Sequence, residues 1–143
     1  MLLALAFVMP LTFSVWNALL NNFVVEQAAF TGREIGILQS LREVPGFLTF
    51  TVIFLLLFIR EQPLALFSLL LMSASVAVTG YFPSVLGLYI TTVIMSVGFH
   101  YFEAINESLT LQWLPKATTA QFMGKVLAVK GMAALIAYGS IWF

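Results

Sequence analysis

Apolar runs of about 20 residues, repeated along the chain, constrain its fold more than any other feature. Each run is long enough for a helix to cross the roughly 30 Å hydrocarbon core of a bilayer, and a helix satisfies its own backbone hydrogen bonds in that medium. The runs predict five membrane-spanning helices at residues 2–23, 34–59, 64–79, 85–113 and 122–143. We therefore predict an all-α membrane protein, a bundle of about five transmembrane helices that forms a single domain over residues 1–143.

The composition agrees with this fold class and excludes several classes of function. It is 62% hydrophobic and 8% charged, whereas a soluble domain has about 25% charged residues. Equal numbers of basic and acidic residues provide no basic surface for nucleic acid. A chain without cysteine has no disulfide framework, thiolate metal site or cysteine nucleophile. The expected partner is the lipid bilayer, and no nucleic acid is expected.

The turns between the predicted spans carry the charges that set orientation. Arg60, Lys116 and Lys125 fall on one side of the predicted bundle, and Arg33 falls on the other. Because basic loop residues are retained in the cytoplasm, this distribution predicts a cytoplasmic N-terminus. Five spans then place Phe143 on the outer side without a polar cap, so we expect the chain to be a truncated part of a longer protein.

A polar stripe in the fourth predicted span is the main candidate site. His100, Glu103 and Glu107 follow one another at helical spacing and share a face, and Asn106 lies next to Glu103 on that face. An ionisable side chain within hydrocarbon costs about 2.5 to 3.5 kcal/mol on insertion scales, so it normally faces a cavity or a partner. Two neighbouring carboxylates in a low-dielectric medium also favour retention of a proton. We predict a substrate- or proton-binding site here.

Other readings of this stripe stay open. Lys130 of the fifth span lies at a depth similar to that of Glu103, so the two side chains can form an ion pair, with Glu107 as its competitor. Such a network can serve helix packing alone. The His and Glu spacing also suits a metal, but one histidine and no carboxylate pair from a second helix do not complete a site. We expect no metal, no cofactor and no catalysis.

Two further positions are candidates for lining a cavity. Arg42 stands beside Glu43 near the predicted outer boundary, where a snorkelling pair at the interface is the alternative. The following Pro45 and Gly46 loosen the helix and favour a cavity role. Asn17 in the first span faces either a cavity or a neighbouring helix. Small residues such as Ser75, Ala133, Ala137, Gly131 and Gly139 predict close helix contacts.

Three local stretches carry a resemblance to a known transporter family. They are Arg60-Glu61-Gln62-Pro63-Leu64, Ser96-Val97-Gly98-Phe99, and residues 116–125 with Gln121-Phe122-Met123-Gly124. The chain resembles the first five helices of the N-terminal half of a major facilitator superfamily transporter. The resemblance implies a central cavity and transport by alternating access in a bacterial inner membrane. It also implies that a site forms with the remaining half of the transporter or with a second subunit.

The predicted function is transport of an unidentified small solute, with proton coupling as one form. The cavity candidates are Asn17, Arg42, His100, Glu103, Asn106, Glu107 and Lys130. A membrane scaffold or assembly subunit that transports nothing is the alternative. An intramembrane enzyme would need a second cluster of titratable residues, which this sequence lacks.

Overall fold

The computed structural model describes residues 2–142, apart from the side chains of Leu2 and Leu5. The helices are α1 (Leu2–Ala28), α2 (Gly32–Phe47), a 3-10 helix (Leu48–Thr51), α3 (Val52–Leu56), α4 (Glu61–Thr79), α5 (Val85–Trp113) and α6 (Lys116–Trp142). No strand occurs between residues 2 and 142. The prediction of an all-α chain is confirmed.

Four of these helices are long and apolar enough to cross a membrane. They are α1 over Ala6–Ala28, α4, α5 and α6. The observed bounds of α5 coincide with the predicted fourth span at residues 85–113. Phe143, the predicted end of the fifth span, lies outside the described residues. The chain thus has the helices of a multi-pass membrane protein.

The second predicted span, residues 34–59, differs from the single helix expected there. It consists of α2, the 3-10 helix and α3 in succession. Pro45 has no N–H to donate to the carbonyl of Leu41, and its ring crowds the preceding turn. The Thr49 hydroxyl donates to the Pro45 carbonyl at 3.2 Å, and the Thr51 hydroxyl donates to the Leu48 carbonyl at 2.6 Å. Side-chain hydrogen bonds thus accompany the interruption of the regular helix.

Local capping explains where α1 ends and α2 begins. Past its predicted end at residue 23, α1 continues to Ala28, and Ala29 then adopts a left-handed conformation with φ 52°. The Phe30 N–H donates back to the Val24 carbonyl at 3.1 Å, so the end of α1 is closed by a backbone hydrogen bond. The Glu34 carboxylate accepts from the Thr31 N–H at 3.0 Å, which completes a capping box. The loop between the two helices is therefore only a few residues long.

The last helix begins earlier than residue 122, where the sequence predicts it. It starts at Lys116, directly after Pro115. The Pro115 carbonyl accepts hydrogen bonds from both the N–H and the hydroxyl of Thr118 and of Thr119. The fixed φ of proline suits the start of a helix, so the predicted loop at residues 115–119 is largely helical.

Residue contacts group the chain into two compact units. A terminal unit contains Met1–Asn22 and Thr110–Phe143, and a central unit contains Phe23–Leu109. In the terminal unit, Ala133 and Ala137 of α6 are fully buried, as is most of Trp16 of α1. The central unit holds α2, α3, α4 and most of α5.

Within the central unit, α5 contacts α4 along an antiparallel path. The Ser108 hydroxyl of α5 donates to the Glu61 carboxylate at 2.9 Å near the start of α4. Near the other end, the Ser75 hydroxyl of α4 donates to the Thr91 carbonyl of α5 at 2.6 Å. Gly98 lies between these two contacts. A Cβ atom at Gly98 would come within 2.6 Å of the Ser68 carbonyl oxygen, so this glycine permits the close approach of the two helices.

A second set of contacts joins α5 to α2, and these two helices run parallel. The Tyr89 hydroxyl donates to the Glu34 carbonyl at 3.3 Å, and the Ser96 hydroxyl donates to the Arg42 carbonyl. The Phe30 and Tyr89 rings pack edge to face, with centroids 5.8 Å apart. Since α5 has α4 and α2 as its neighbours, it is the central helix of this unit.

Candidate functional site

The structure brings two of the predicted site residues, Arg42 and His100, to one interface between α2 and α5. Arg42 and Gly46 are one turn apart on α2, and Ser96 and His100 are one turn apart on α5. Ser96 donates to the Arg42 carbonyl, and the His100 ring lies against the Gly46 backbone. The parallel packing of the two helices thus places both positions in register, which neither sequence segment alone predicts.

Arg42 forms an ion pair with its neighbour Glu43 at this interface. The Arg42 Nη2 to Glu43 Oε1 distance is 3.1 Å, and Arg42 Nε lies 3.2 Å from the same oxygen. The Arg42 side chain is 21% exposed, whereas the Glu43 side chain is 56% exposed. The pair therefore reaches from a partly covered guanidinium to an accessible carboxylate. This geometry suits both alternatives of the sequence analysis, a boundary pair and one wall of a cavity.

His100 is half-buried, and its ring occupies a defined position. A Cβ atom at Gly46 would lie 3.1 Å from His100 Cε1 and 3.2 Å from Nε2, so a larger residue at this position would displace the imidazole by a few tenths of an ångström. The Phe99 ring packs edge to face with the imidazole at a centroid distance of 5.1 Å. The imidazole is therefore held beside the point where α2 loses its regular hydrogen bonding. A histidine in such a position can accept, donate or transfer a proton.

The remaining residues of the polar stripe continue along α5. Glu103 and Asn106 are half-buried, and neither is without an interaction partner. Glu107 is exposed. The stripe thus changes from covered to accessible along the helix, with His100 and Glu103 on its covered part. This order is compatible with a polar path that begins at an exposed carboxylate.

Asn17 and Lys130, the other two predicted site residues, lie on α1 and α6 of the terminal unit. Both are half-buried, and each has an interaction partner. The ion pair between Glu103 and Lys130 stays a prediction. Within α1, Asn17 directly follows Trp16, whose ring lies 6.0 Å from that of Phe13. The polar position in this helix is therefore flanked by aromatic packing.

The sequence analysis did not identify the hydroxyl groups that connect the helices of the central unit. Tyr101 shares a hydrogen bond with Thr51, Tyr89 donates to the Glu34 carbonyl, and Ser108 donates to Glu61. The Ser96 hydroxyl likewise donates to the backbone carbonyl of Arg42. The sequence signal for these contacts is the recurrence of hydroxyl side chains along one apolar helix. A hydroxyl in an apolar medium needs an acceptor, which a neighbouring helix can supply.

Two buried polar atoms have no hydrogen-bond partner among the described residues. They are the indole Nε1 of Trp16 in α1 and the hydroxyl of Thr92 in α5. Trp16 is 7% exposed and Thr92 is fully buried. A buried donor left unpaired costs about 1 to 3 kcal/mol, so such groups are uncommon in a folded protein. Each is a position where a polar atom from outside the described chain would be stabilised.

The side chains at the α2–α5 interface can form ion pairs and can transfer protons. They combine a guanidinium, a carboxylate and an imidazole with helix hydroxyls already bonded to backbone carbonyls. Within residues 2–142, no group of three or more His, Asp or Glu side chains is placed to hold a metal ion. Binding of a small polar solute or transfer of a proton is the chemistry that these side chains support.

Comparison of the chain with known protein families, with curated proteins and with solved structures finds no match.

Proposed function

We propose that this chain is part of a secondary transporter of the major facilitator type, which moves a small solute by alternating access and couples it to protons. The observation that carries the proposal is the α2–α5 interface, where two partly covered ionisable side chains, Arg42 of α2 and His100 of α5, lie at the contact between the two helices. Since charges within hydrocarbon are costly, their placement against another helix of the protein is what a solute or proton pathway requires.

The proposal includes a fifth membrane crossing, made by the interrupted segment from α2 to α3. At about 1.5 Å per α-helical residue and about 2.0 Å per 3-10 residue, the pieces laid end to end extend about 39 Å. This exceeds the roughly 30 Å of the hydrocarbon core. The parallel contacts with α5 support a path across the bilayer beside that helix. Interrupted spans are a recurrent feature of transporter binding sites.

The orientation and location proposed with this function follow the basic residues. Arg60 precedes α4 and Lys116 begins α6 on the side that we assign to the cytoplasm, with Lys125 farther along α6, so we assign the N-terminus to that side as well. The membrane proposed is the bacterial inner membrane, and the remaining half of the transporter or a second subunit completes the cavity. A scaffold or assembly subunit remains the competing function.

Uptake by the complete protein in proteoliposomes tests the proposal. A panel of labelled amines, amino acids and sugars is presented with and without an inward proton gradient. We expect uptake of at least one solute, increased by the gradient, and a decrease on the order of tenfold in Glu103→Gln, equivalent to about 1.4 kcal/mol of lost stabilisation.

Glu26→Gln is the matched control, since Glu26 is exposed near the end of α1 and outside the proposed site. Uptake no faster than in protein-free liposomes for the whole panel would support the scaffold function. Equal uptake by Glu103→Gln and Glu26→Gln would remove Glu103 from the site while leaving transport intact.

A further inference from the structure

The interruption of the second span concentrates weak backbone hydrogen bonding at residues 45–51, which we name the α2 break. Pro45 withholds a donor, Gly46 lowers helix propensity, and the 3-10 helix at Leu48–Thr51 has poorer hydrogen-bond geometry than an α-helix. Thr49 and Thr51 use their hydroxyls to bind carbonyls within the break. A short 3-10 stretch inside a helix often marks a hinge.

The contacts with α5 change at the α2 break. Before it, the bonded pairs Glu34–Tyr89 and Arg42–Ser96 are separated by 55 and 54 residues in sequence. At the last residue of the break, Thr51, the separation from the bonded Tyr101 is 50 residues. A constant separation means that two parallel helices advance together. The smaller separation means that the chain advances less along α5 within the break than before it, so its direction changes there.

The segment that follows, residues 52–59, has little packing to hold it, and we name it the α3 arm. Val52 is its one fully buried residue. Ile53, Leu57 and Phe58 are 65%, 73% and 88% exposed. Because few apolar contacts fix this segment, the hydrogen bond between Thr51 and Tyr101, together with burial of Val52, sets its position relative to α5.

We propose that the α2 break is a pivot about which the α3 arm swings relative to α2, and that the hydrogen bond between Tyr101 and Thr51 holds the arm in its observed position. The His100 imidazole fills the space beside Gly46, so it lies against the α2 break on the side that faces α5. The motion belongs to the helix itself and goes beyond the proposed function, since it needs no solute. A negative result for the pivot would not affect the transport proposal, and a negative result for transport would not affect the pivot.

A distance measurement across the break tests the pivot. The chain has no native cysteine, so Ile37→Cys on α2 and Ile53→Cys on the α3 arm, both at exposed positions, accept nitroxide labels selectively. Pulsed electron paramagnetic resonance of the labelled full chain in lipid nanodiscs gives the distance distribution between the two labels. Tyr101→Phe removes the hydroxyl that contacts Thr51 and keeps the ring.

We expect Tyr101→Phe to add a second population, with the ratio of released to held arm rising about fivefold, as for the loss of one hydrogen bond. The control is Tyr89→Phe, which removes a hydrogen bond from α5 to α2 on the other side of the break. This control should leave the distribution unchanged. Thr51→Val, which removes the partner hydroxyl, should reproduce the effect of Tyr101→Phe.

Two results would overturn the pivot. One is a distribution in Tyr101→Phe and Thr51→Val that matches the labelled parent. The other is equal broadening in Tyr89→Phe, which would mean that the whole α2–α5 contact loosens and that the break has no special mobility. Because Tyr101→Phe preserves packing volume, folding of the variant is verified by the unchanged helix content in circular dichroism.

Discussion

Helices α5 and α6 are similar in length and hydropathy, but they differ in how much of each helix is buried. They contain 29 and 27 residues, and both are apolar enough to cross a membrane. Yet 39% of the most apolar stretch of α5 is buried, compared with 11% for α6. Length and hydropathy therefore identify both helices as candidate spans, but they do not show how much of each helix is buried.

The small residues of the two helices show the same contrast. Gly98 of α5 faces the backbone of α4, where a Cβ atom would lie 2.7 Å from the Met72 nitrogen. Gly124, Gly131 and Gly139 of α6 have no described atom within 4 Å of such a Cβ. Close packing at Gly131 and Gly139, which the sequence predicts, therefore does not occur among the described residues. It does occur at Ala133 and Ala137, which are fully buried.

The hydroxyl groups complete the comparison. On α5, Ser96 and Ser108 donate to groups on α2 and α4. On α6, the hydroxyls of Thr118, Thr119 and Ser140 donate to carbonyls three or four residues earlier in their own chain segment. In an apolar medium a hydroxyl bonds to its own helix unless a neighbouring helix is close enough to offer an acceptor. A hydroxyl bonded to another helix therefore shows that the two helices are close, whereas one bonded to its own helix leaves the distance open, as at Thr91, which bonds within α5 although Ser75 of α4 contacts its carbonyl.

The largest effect should come from adding one methyl group at the α4–α5 contact. Gly98→Ala places a Cβ atom 2.6 Å from the Ser68 oxygen, and backbone atoms cannot move aside as a flexible side chain can. We expect the free energy of unfolding to fall by about 3 kcal/mol, the upper range for overpacking. Titration with sodium dodecyl sulfate in mixed micelles, followed by circular dichroism, measures the change. Unaltered stability would mean that α4 and α5 are farther apart than the structure places them.

Periodicity and length predicted most of the fold, and α5 illustrates why. Its residues 85–113 form one largely apolar stretch between turn signals, and both predicted bounds are correct. The sequence also identified Pro45 and Gly46 as a weak point of the second span. It did not predict the 3-10 helix that follows, because that conformation depends on where the Thr49 and Thr51 hydroxyls bond and on the contact with Tyr101.

The candidate site was less predictable than the fold. Helical spacing correctly groups His100 and Glu103 on adjoining turns of one helix. Helical spacing does not show which helix packs against these two residues, or which residues of that helix lie opposite them. The contacts of Arg42 with Ser96 and of Gly46 with His100 depend on the parallel packing of α2 against α5, which is a long-range property. Sequence reasoning therefore named candidate side chains, but it could not place them against their neighbours on other helices.

A smaller effect should follow from removing one hydrogen bond between helices. Ser75→Ala deletes the hydroxyl that donates to the Thr91 carbonyl of α5, in a buried position. We expect a loss of about 1 kcal/mol in the free energy of unfolding, in the range measured for hydrogen bonds between membrane helices. The same micelle titration detects this change.

The matched variant for Ser75→Ala is Ser140→Ala on α6, whose hydroxyl bonds only to the Ala137 carbonyl of its own helix. It should change stability by less than about 0.5 kcal/mol, as expected of an exposed position. If both variants lost the same amount, the contrast between the hydroxyl contacts of α5 and those of α6 would be wrong.

The smallest effect, and one of opposite sign, is expected on α6. Gly131→Ala adds a methyl group where no described atom lies within 4 Å, in the interior of a 27-residue helix. Because alanine restricts the unfolded backbone more than glycine does, stability should rise by about 0.5 to 1 kcal/mol in the micelle titration. A decrease would mean that another surface packs against Gly131. Gly98→Ala and Gly131→Ala, which add the same methyl group, would then both lower the free energy of unfolding. Gly131 of α6 would in that case lie in a close helix contact, as Gly98 of α5 does.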